Sequence, residues 1–172
     1  MTQNLLNQIC DVDLDEIGKI ISKVRPLAVR YYLKTGKPLG VTGEIAEFEA
    51  ARLLGLKLCI ARQAGYDALR IKNGKVITRI NIKSKRLINP SKLKGRLGKI
   101  DLKKDFDSVI AVVLDEKFEP FVIYEAERKD VKKALLKPGS KSRNERGALA
   151  IQRFKSISKL LWKRNSSLTR HA

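Results

Sequence analysis

The ten residues 106–115, "FDSVIAVVLD", constrain the fold more than any other stretch. They are almost continuously apolar and rich in β-branched side chains. A strand with one wet face alternates apolar and polar residues, whereas an unbroken apolar run is covered on both faces. The segment is therefore predicted as a central strand of a sheet packed on each side. "EPFVIYEAE" pairs with it through the turn "DEKFEP".

The rest of the chain supplies the layers. Asp13 with Glu16 three residues on has the form of a capping box with Asp as the cap. Leu14, Ile17, Ile20, Ile21 and Val24 then follow helical spacing. Pro26 is expected to end or kink that helix, and "PLAVRYYLKTG" to form another that stops at Gly36. "TGEIAEFEAARLLG" is predicted as a helix capped by Thr42, with Glu44 near its positive end and Gly55 closing it. Residues 56–61 and the flanks of Asp67 suit strands, and "KNG" at 72–74 suits a tight turn. Beyond a basic loop at 88–104 and the strands above, Ile151, Phe154, Ile157, Leu160 and Leu161 predict a final amphipathic helix. The expected class is α/β (or α+β) with a central mixed sheet flanked by helices. A helical extension over 1–36 precedes a core over 37–172, within one domain.

Charge narrows the partners. The chain has a net charge of +19, and it is concentrated. Residues 83–104 hold nine Lys or Arg and one Asp, and residues 129–172 hold thirteen and two acids. Such segments suit a polyanion, because phosphate contacts release condensed counterions. A solvated basic surface that keeps the protein soluble is the plainer alternative. No apolar run is long enough to cross a membrane. No secretory signal is read at the N-terminus, and Cys10 and Cys59 form no spacing motif, so a cytoplasmic protein with reduced thiols is expected. The single histidine, His171, argues against histidine triads and multi-histidine zinc sites.

One hairpin carries candidate chemistry. In "KVITRINIKSKR", Val76, Thr78, Ile80 and Ile82 face one way, and Ile77, Arg79, Asn81 and Lys83 the other. Asp67 lies 14 residues before Asn81, and the Gly74 turn folds the two strands together. Glu44 and Glu47, three apart, share a helix face. Carboxylates that hold Mg²⁺ or Mn²⁺, with a lysine to orient or deprotonate water, are what phosphodiester hydrolysis needs.

The segments "GEIAEFEAARLLG", "GYDA" and "INIKSKR" resemble the restriction-endonuclease-like, or PD-(D/E)XK, nuclease superfamily over roughly residues 40–125. The resemblance implies a restriction-endonuclease-like core, with strand 109–114 as its fourth strand, and a divalent-metal-dependent nuclease acting on DNA. It implies metal held by Asp67, by Glu44 or else Glu47, and by the carbonyl of Asn81, with Lys83 as the motif lysine. Asn81 stands where an acid is usual, so the site holds one negative charge fewer and binds metal less tightly. Members with an amide here include active enzymes and proteins that only bind, so a catalytically inactive nucleic-acid-binding protein is the alternative. Symmetric dimers are common in the superfamily, which makes the N-terminal helices a candidate homodimer interface.

Lys85, Arg86, Lys92, Lys94, Arg96 and Lys99 leave the site as expected contacts for a phosphate backbone, with Arg143, Arg146 and Arg153 as a second surface. The scarcity of aromatics among them favours double-stranded DNA or another structured nucleic acid over a stacked single strand. A basic protein-binding or ribosome-associated domain is a third reading. "DEK" at 115–117 and "ERK" at 127–129 also fit acid-x-Lys, but the first is expected in a turn and the second at the start of a charged helix.

Overall fold

The computed structural model describes residues 12–60, 65–139 and 147–165. In chain order the elements are α1 (Leu14–Thr35), α2 (Thr42–Leu54), β1 (Lys57–Leu58), β2 (Ala68–Lys72), β3 (Lys75–Arg86), β4 (Ser108–Leu114), β5 (Pro120–Glu127), α3 (Arg128–Leu136), α4 (Ile151–Lys155) and β6 (Lys159–Lys163). The six strands form one sheet in sequence order. Every pairing is antiparallel except β3 with β4, which run parallel. The protein is therefore mixed α/β, with every residue of β4 buried as the apolar run requires.

Two cores sandwich the sheet. Ile80, Ile82, Ile110, Val112 and Ile123 face α1 and α2, together with Ile45, Ala46 and Phe48. Leu69, Val109, Ala111, Val113 and Tyr124 face the other way. That second face is covered by α3, by α4 and by the segment 87–107 that joins the parallel strands. Parallel neighbours need a long crossover, usually helical. Here the crossover is mostly irregular, and it packs by sinking Leu93, Leu97, Ile100 and Phe106 into the core.

Four expectations are corrected. Helix α1 runs unbroken through Pro26, so the two expected helices are one. Ile21 before the proline and Ala28 after it are both buried against the α2 side, and this packing offsets the lost backbone bond. Thr42 is the first residue of α2 and not its cap; no side chain caps that helix. Of the strand expected over 56–61, the described residues 56–60 form only Lys57–Leu58, and residue 61 lies outside the described residues. The C-terminal helix stops at Lys155, and Leu160 and Leu161 belong to β6. The Ser156 hydroxyl donates back to the Arg153 carbonyl at 2.8 Å and that of Ser158 to Lys155 at 3.1 Å. Those bonds compete with a further helical turn, and the open edge of β5 offers a ladder instead.

Other expectations hold. Asp13 caps α1, accepting from the Asp15 and Glu16 amides at 2.9 and 3.1 Å. Asn73 and Gly74 turn the β2–β3 hairpin with φ of 50° and 71°. Among the described residues no helix is long and apolar enough to cross a membrane.

Buried charge ties the helical layer together. Glu49 of α2 is 2% exposed and pairs with Arg25 of α1 and, at 2.6 Å, with Arg52. Arg25 reaches on to Glu119 at 2.7 Å. Without Glu49, the part-buried Arg25 keeps, among the described residues, only the half-exposed Glu119 as partner, so Glu49→Ala is expected to lower unfolding stability by about 2 kcal/mol in urea denaturation.

Candidate functional site

The β2–β3 ladder ends at the pair Ala68–Ile80, just before the strands part. Asp67 sits at the parting. Its amide donates to the Ile80 carbonyl at 2.8 Å, and its carbonyl accepts from Cys59 at 3.0 Å. Its Oδ2 accepts the Ile82 amide at 2.6 Å and the Asn81 side-chain amide at 2.9 Å. The carboxylate thus replaces the strand that no longer accompanies β3. Among the described residues nothing donates to Oδ1 of Asp67 or to Oδ1 of Asn81.

Strand alternation puts Lys83 on the Asn81 face, beside Ala111 of β4. Asp67 and Lys83 feel each other's charge without closing into an ion pair. Burial raises the Asp67 carboxyl above its ordinary value, opposed by the Ile82 amide, Lys83, Lys104 and Asn81. Burial lowers the Lys83 ammonium; Asp67 opposes the shift, Lys104 deepens it, and Glu47 opposes it.

Of the two helical carboxylates, Glu47 is the one drawn into this group. It is half-buried, and it is pushed up to about 7, first by burial, then by repulsion from Asp67 and Glu44, with Lys83 opposing. Glu44 is exposed, one turn nearer the start of α2. Glu47 therefore displaces Glu44 as the helical candidate. Sequence spacing left the two open, and only the packing of α2 on the sheet separates them.

The donors are hard oxygens of the kind that Mg²⁺ or Mn²⁺ takes. They amount to two carboxylates and an amide carbonyl. Among the described residues no three His, Cys, Asp or Glu side chains are gathered as a metal cluster. The set fits a divalent cation held weakly and completed by water or substrate.

A basic wall runs beside the site. The crossover buries Leu93, Leu97 and Ile100 and leaves Lys92, Lys94, Arg96 and Lys99 exposed. Its backbone is tied to the segment before α4, with Leu97 donating to Leu149 and Ile100 to Gly147, each at 2.9 Å. Gly95 and Gly98 stand over the stems of Lys85 and Lys83; a Cβ on Gly95 would lie 3.2 Å from the Lys85 Nζ. Lys85, Lys92 and Lys94 line a cleft of about 570 Å³ that holds no acidic residue.

Arg86 lines the same cleft. It alternates to the helical face, where its guanidinium lies 3.9 Å from the Tyr32 ring centroid and 4.7 Å from that of Phe118. It also donates to the Glu116 carbonyl at 2.7 Å. It fastens α1 to the β4–β5 turn, a structural role that the sequence did not suggest for this expected phosphate contact. Arg153 is exposed on α4, while Arg143 and Arg146 lie outside the described residues. Both acid-x-Lys decoys are structural. Asp115 accepts from the Lys117 and Glu119 amides at 2.8 and 2.9 Å and pairs with Arg164. In the second, Glu127 pairs with Lys129 at 2.7 Å at the start of α3, and Arg128 between them binds backbone carbonyls of the crossover.

Sequence reasoning missed Lys104, whose charge acts on both Asp67 and Lys83. It stood unremarked in a run of basic residues. The only signal was Gly65, which the structure packs against the Lys104–Asp105 backbone.

Glu47 gives the site a pH signature. The folded state holds a proton on Glu47 that the unfolded chain releases between pH 4.5 and about 7, so stability falls as pH rises through that window. In EDTA at pH 8, Glu47→Gln is expected to be more stable than wild type by about 1–2 kcal/mol, after discounting for partial exposure. At pH 4 thermal melts of the two should nearly coincide.

No protein-family model matches the chain and no curated protein matches it in sequence, so the site's own side chains have to say what it does.

Proposed function

We propose that the protein is a Mg²⁺- or Mn²⁺-dependent nuclease with a restriction-endonuclease-like core, hydrolysing phosphodiester bonds of double-stranded DNA. One observation carries the reading: Asp67, Asn81 and Lys83 share one face where β2 and β3 part, within electrostatic reach of Glu47. The order of parts supports it as well. A helix bearing Glu44 and Glu47 precedes the Asp67 strand, a tight turn, the Lys83 strand and the buried β4.

In this reading Asp67, Glu47 and the Asn81 carbonyl hold the cation, and Glu44 adds negative charge at the mouth. The cation, when bound, polarises the phosphate and acidifies the attacking water. Lys83 orients that water and offsets charge developing on the phosphoryl oxygens. Ile82 and Asn81 fix the Asp67 carboxylate through Oδ2 and leave Oδ1 for coordination. Lys85, Lys92 and Lys94 hold the flanking backbone in their acid-free cleft. Lys99 and Arg96 extend the contact without reading sequence. Ile20, Leu27, Tyr31 and Leu33, exposed on α1, suit a homodimer contact through the N-terminal helices.

The second reading keeps the basic cleft and drops the chemistry. Asn81 favours it, because one acid is missing and the amide donates to the Asp67 carboxylate. Plasmid nicking in Mg²⁺ and in Mn²⁺ separates the two. Wild type is expected to nick, with Asp67→Ala and Lys83→Ala each falling to below about one hundredth of its rate. Equal nicking by all three sinks the proposed centre. Salt-dependent DNA binding without cleavage in either metal establishes the binding protein.

A further inference from the structure

The crossover segment 101–107 is held with unusual thoroughness for a loop. Gly65 has φ +109°, and a Cβ there would lie 2.5 Å from the Asp105 amide and 3.1 Å from the Lys104 Cβ. That spacing admits only glycine, so the two backbones touch two residues before Asp67. From the far side Arg128 donates to the carbonyls of Lys104 at 2.6 Å, Leu102 at 2.7 Å and Phe106 at 3.0 Å. Its guanidinium also lies 4.6 Å from the Phe106 ring centroid. Arg79 pairs with Asp107 at 2.8 Å and with Asp105. The Lys104 amide closes a turn onto the Asp101 carbonyl at 3.1 Å.

All this fixes backbone, and none of it engages the Lys104 side chain. That side chain is exposed, and among the described residues its ammonium makes no ion pair. The neighbouring acids are already taken, Asp105 and Asp107 by Arg79. Asp101 spends its carboxylate on the Lys103 amide at 3.0 Å. A flexible ammonium on a rigid platform, with its local counter-ions engaged elsewhere and a carboxylate–lysine centre within electrostatic reach, is placed to meet an anion that arrives from outside.

We infer that Lys104 is a further substrate-binding residue of this site, contacting a phosphate of the nucleic-acid backbone next to the one held at Asp67 and Lys83. The inference rests on the nuclease reading and adds to it a third side of the site, after the sheet and the Lys85–Lys92–Lys94 cleft. Lys104 supplies positive charge on the substrate's side of the centre. Arg128, Arg79 and Gly65 are positioning residues that act through it.

The test compares wild type, Lys104→Ala, Lys104→Arg and Gly65→Ala, with Asp67→Ala as the marker for chemistry. Lys104 is exposed and its backbone contacts survive substitution, so melting temperatures of its variants should match wild type. Gly65→Ala should melt lower or bind DNA less well, because the platform has to shift. In Mn²⁺ the Lys104→Ala nicking rate at limiting DNA is expected to drop about tenfold, the worth of one charged hydrogen bond, with Lys104→Arg largely restored. In EDTA, DNA affinity measured between about 50 and 200 mM salt should lose nearly one unit of log–log slope in Lys104→Ala. An unchanged slope and rate in Lys104→Ala, while Asp67→Ala is dead, overturns the inference and leaves the nuclease reading standing. If no protein cleaves in any metal, that reading falls and the slope alone decides: a loss near one unit still makes Lys104 a phosphate contact, and no loss overturns it.

Discussion

The structure turns on one backbone amide. Where β2 leaves β3, the Ile82 N–H has lost its strand partner inside a packed protein, and a buried unpaired amide is costly. Asp67 answers it with a carboxylate oxygen at 2.6 Å. That bond decides where the acid stands and draws the Asn81 amide alongside. It leaves the other carboxylate oxygen outside the ladder. A carboxylate held this way is half desolvated, which explains why burial dominates its proton affinity even with a lysine near. Were the ladder continued by two more residues, the acid would be replaced by backbone and the centre would keep only the Glu47 carboxyl.

The parallel step from β3 to β4 has the next largest effect. A helix in this crossover would have presented a continuous amphipathic face. An irregular segment anchored by Leu93, Leu97 and Ile100 instead throws its intervening side chains outward, and these are Lys92, Lys94, Arg96 and Lys99. The cationic wall is thus a by-product of how the segment buries itself, placed beside Lys83 because the same segment must return to start β4 alongside β3. Glycines at 95 and 98 leave room for lysine stems beneath it.

Much of this was legible in the residues. The unbroken run at 109–114 could only be a central strand, and the alternation in β3 set which face Asn81 and Lys83 share. The Asn73–Gly74 turn closes the hairpin, but a bulge between Arg70 and Ile71 shifts its register by one residue; that unforeseen shift sends Val76 to the opposite core from Ile80 and Ile82 and brings Asp67 across from Asn81. Long-range packing was not legible. Pro26 lies inside a helix because Ile21 and Ala28 are buried on either side of it. Leu160 and Leu161 fit a helical period, yet β5 had an unfilled edge for them. Arg86 read as one more cation of a basic stretch, although its even position on β3 sends it to Tyr32 and Phe118. The choice of Glu47 over Glu44, and the arrival of Lys104, depend on how a helix and a loop settle on the sheet, and no local pattern encodes either.

The two outer strands carry a last consequence. An open sheet invites a neighbouring chain to add itself along the exposed rim. On one side the rim is β1, only two residues long, too short a template to recruit anything. On the other it is β6, whose exposed Leu160 is bracketed by Lys159 and Lys163. Like charges facing each other across such a seam repel, so the cationic surplus does a second job as a guard against fibrous self-association. Ammonium groups gathered along this rim thereby also keep copies of the protein from stacking edge to edge.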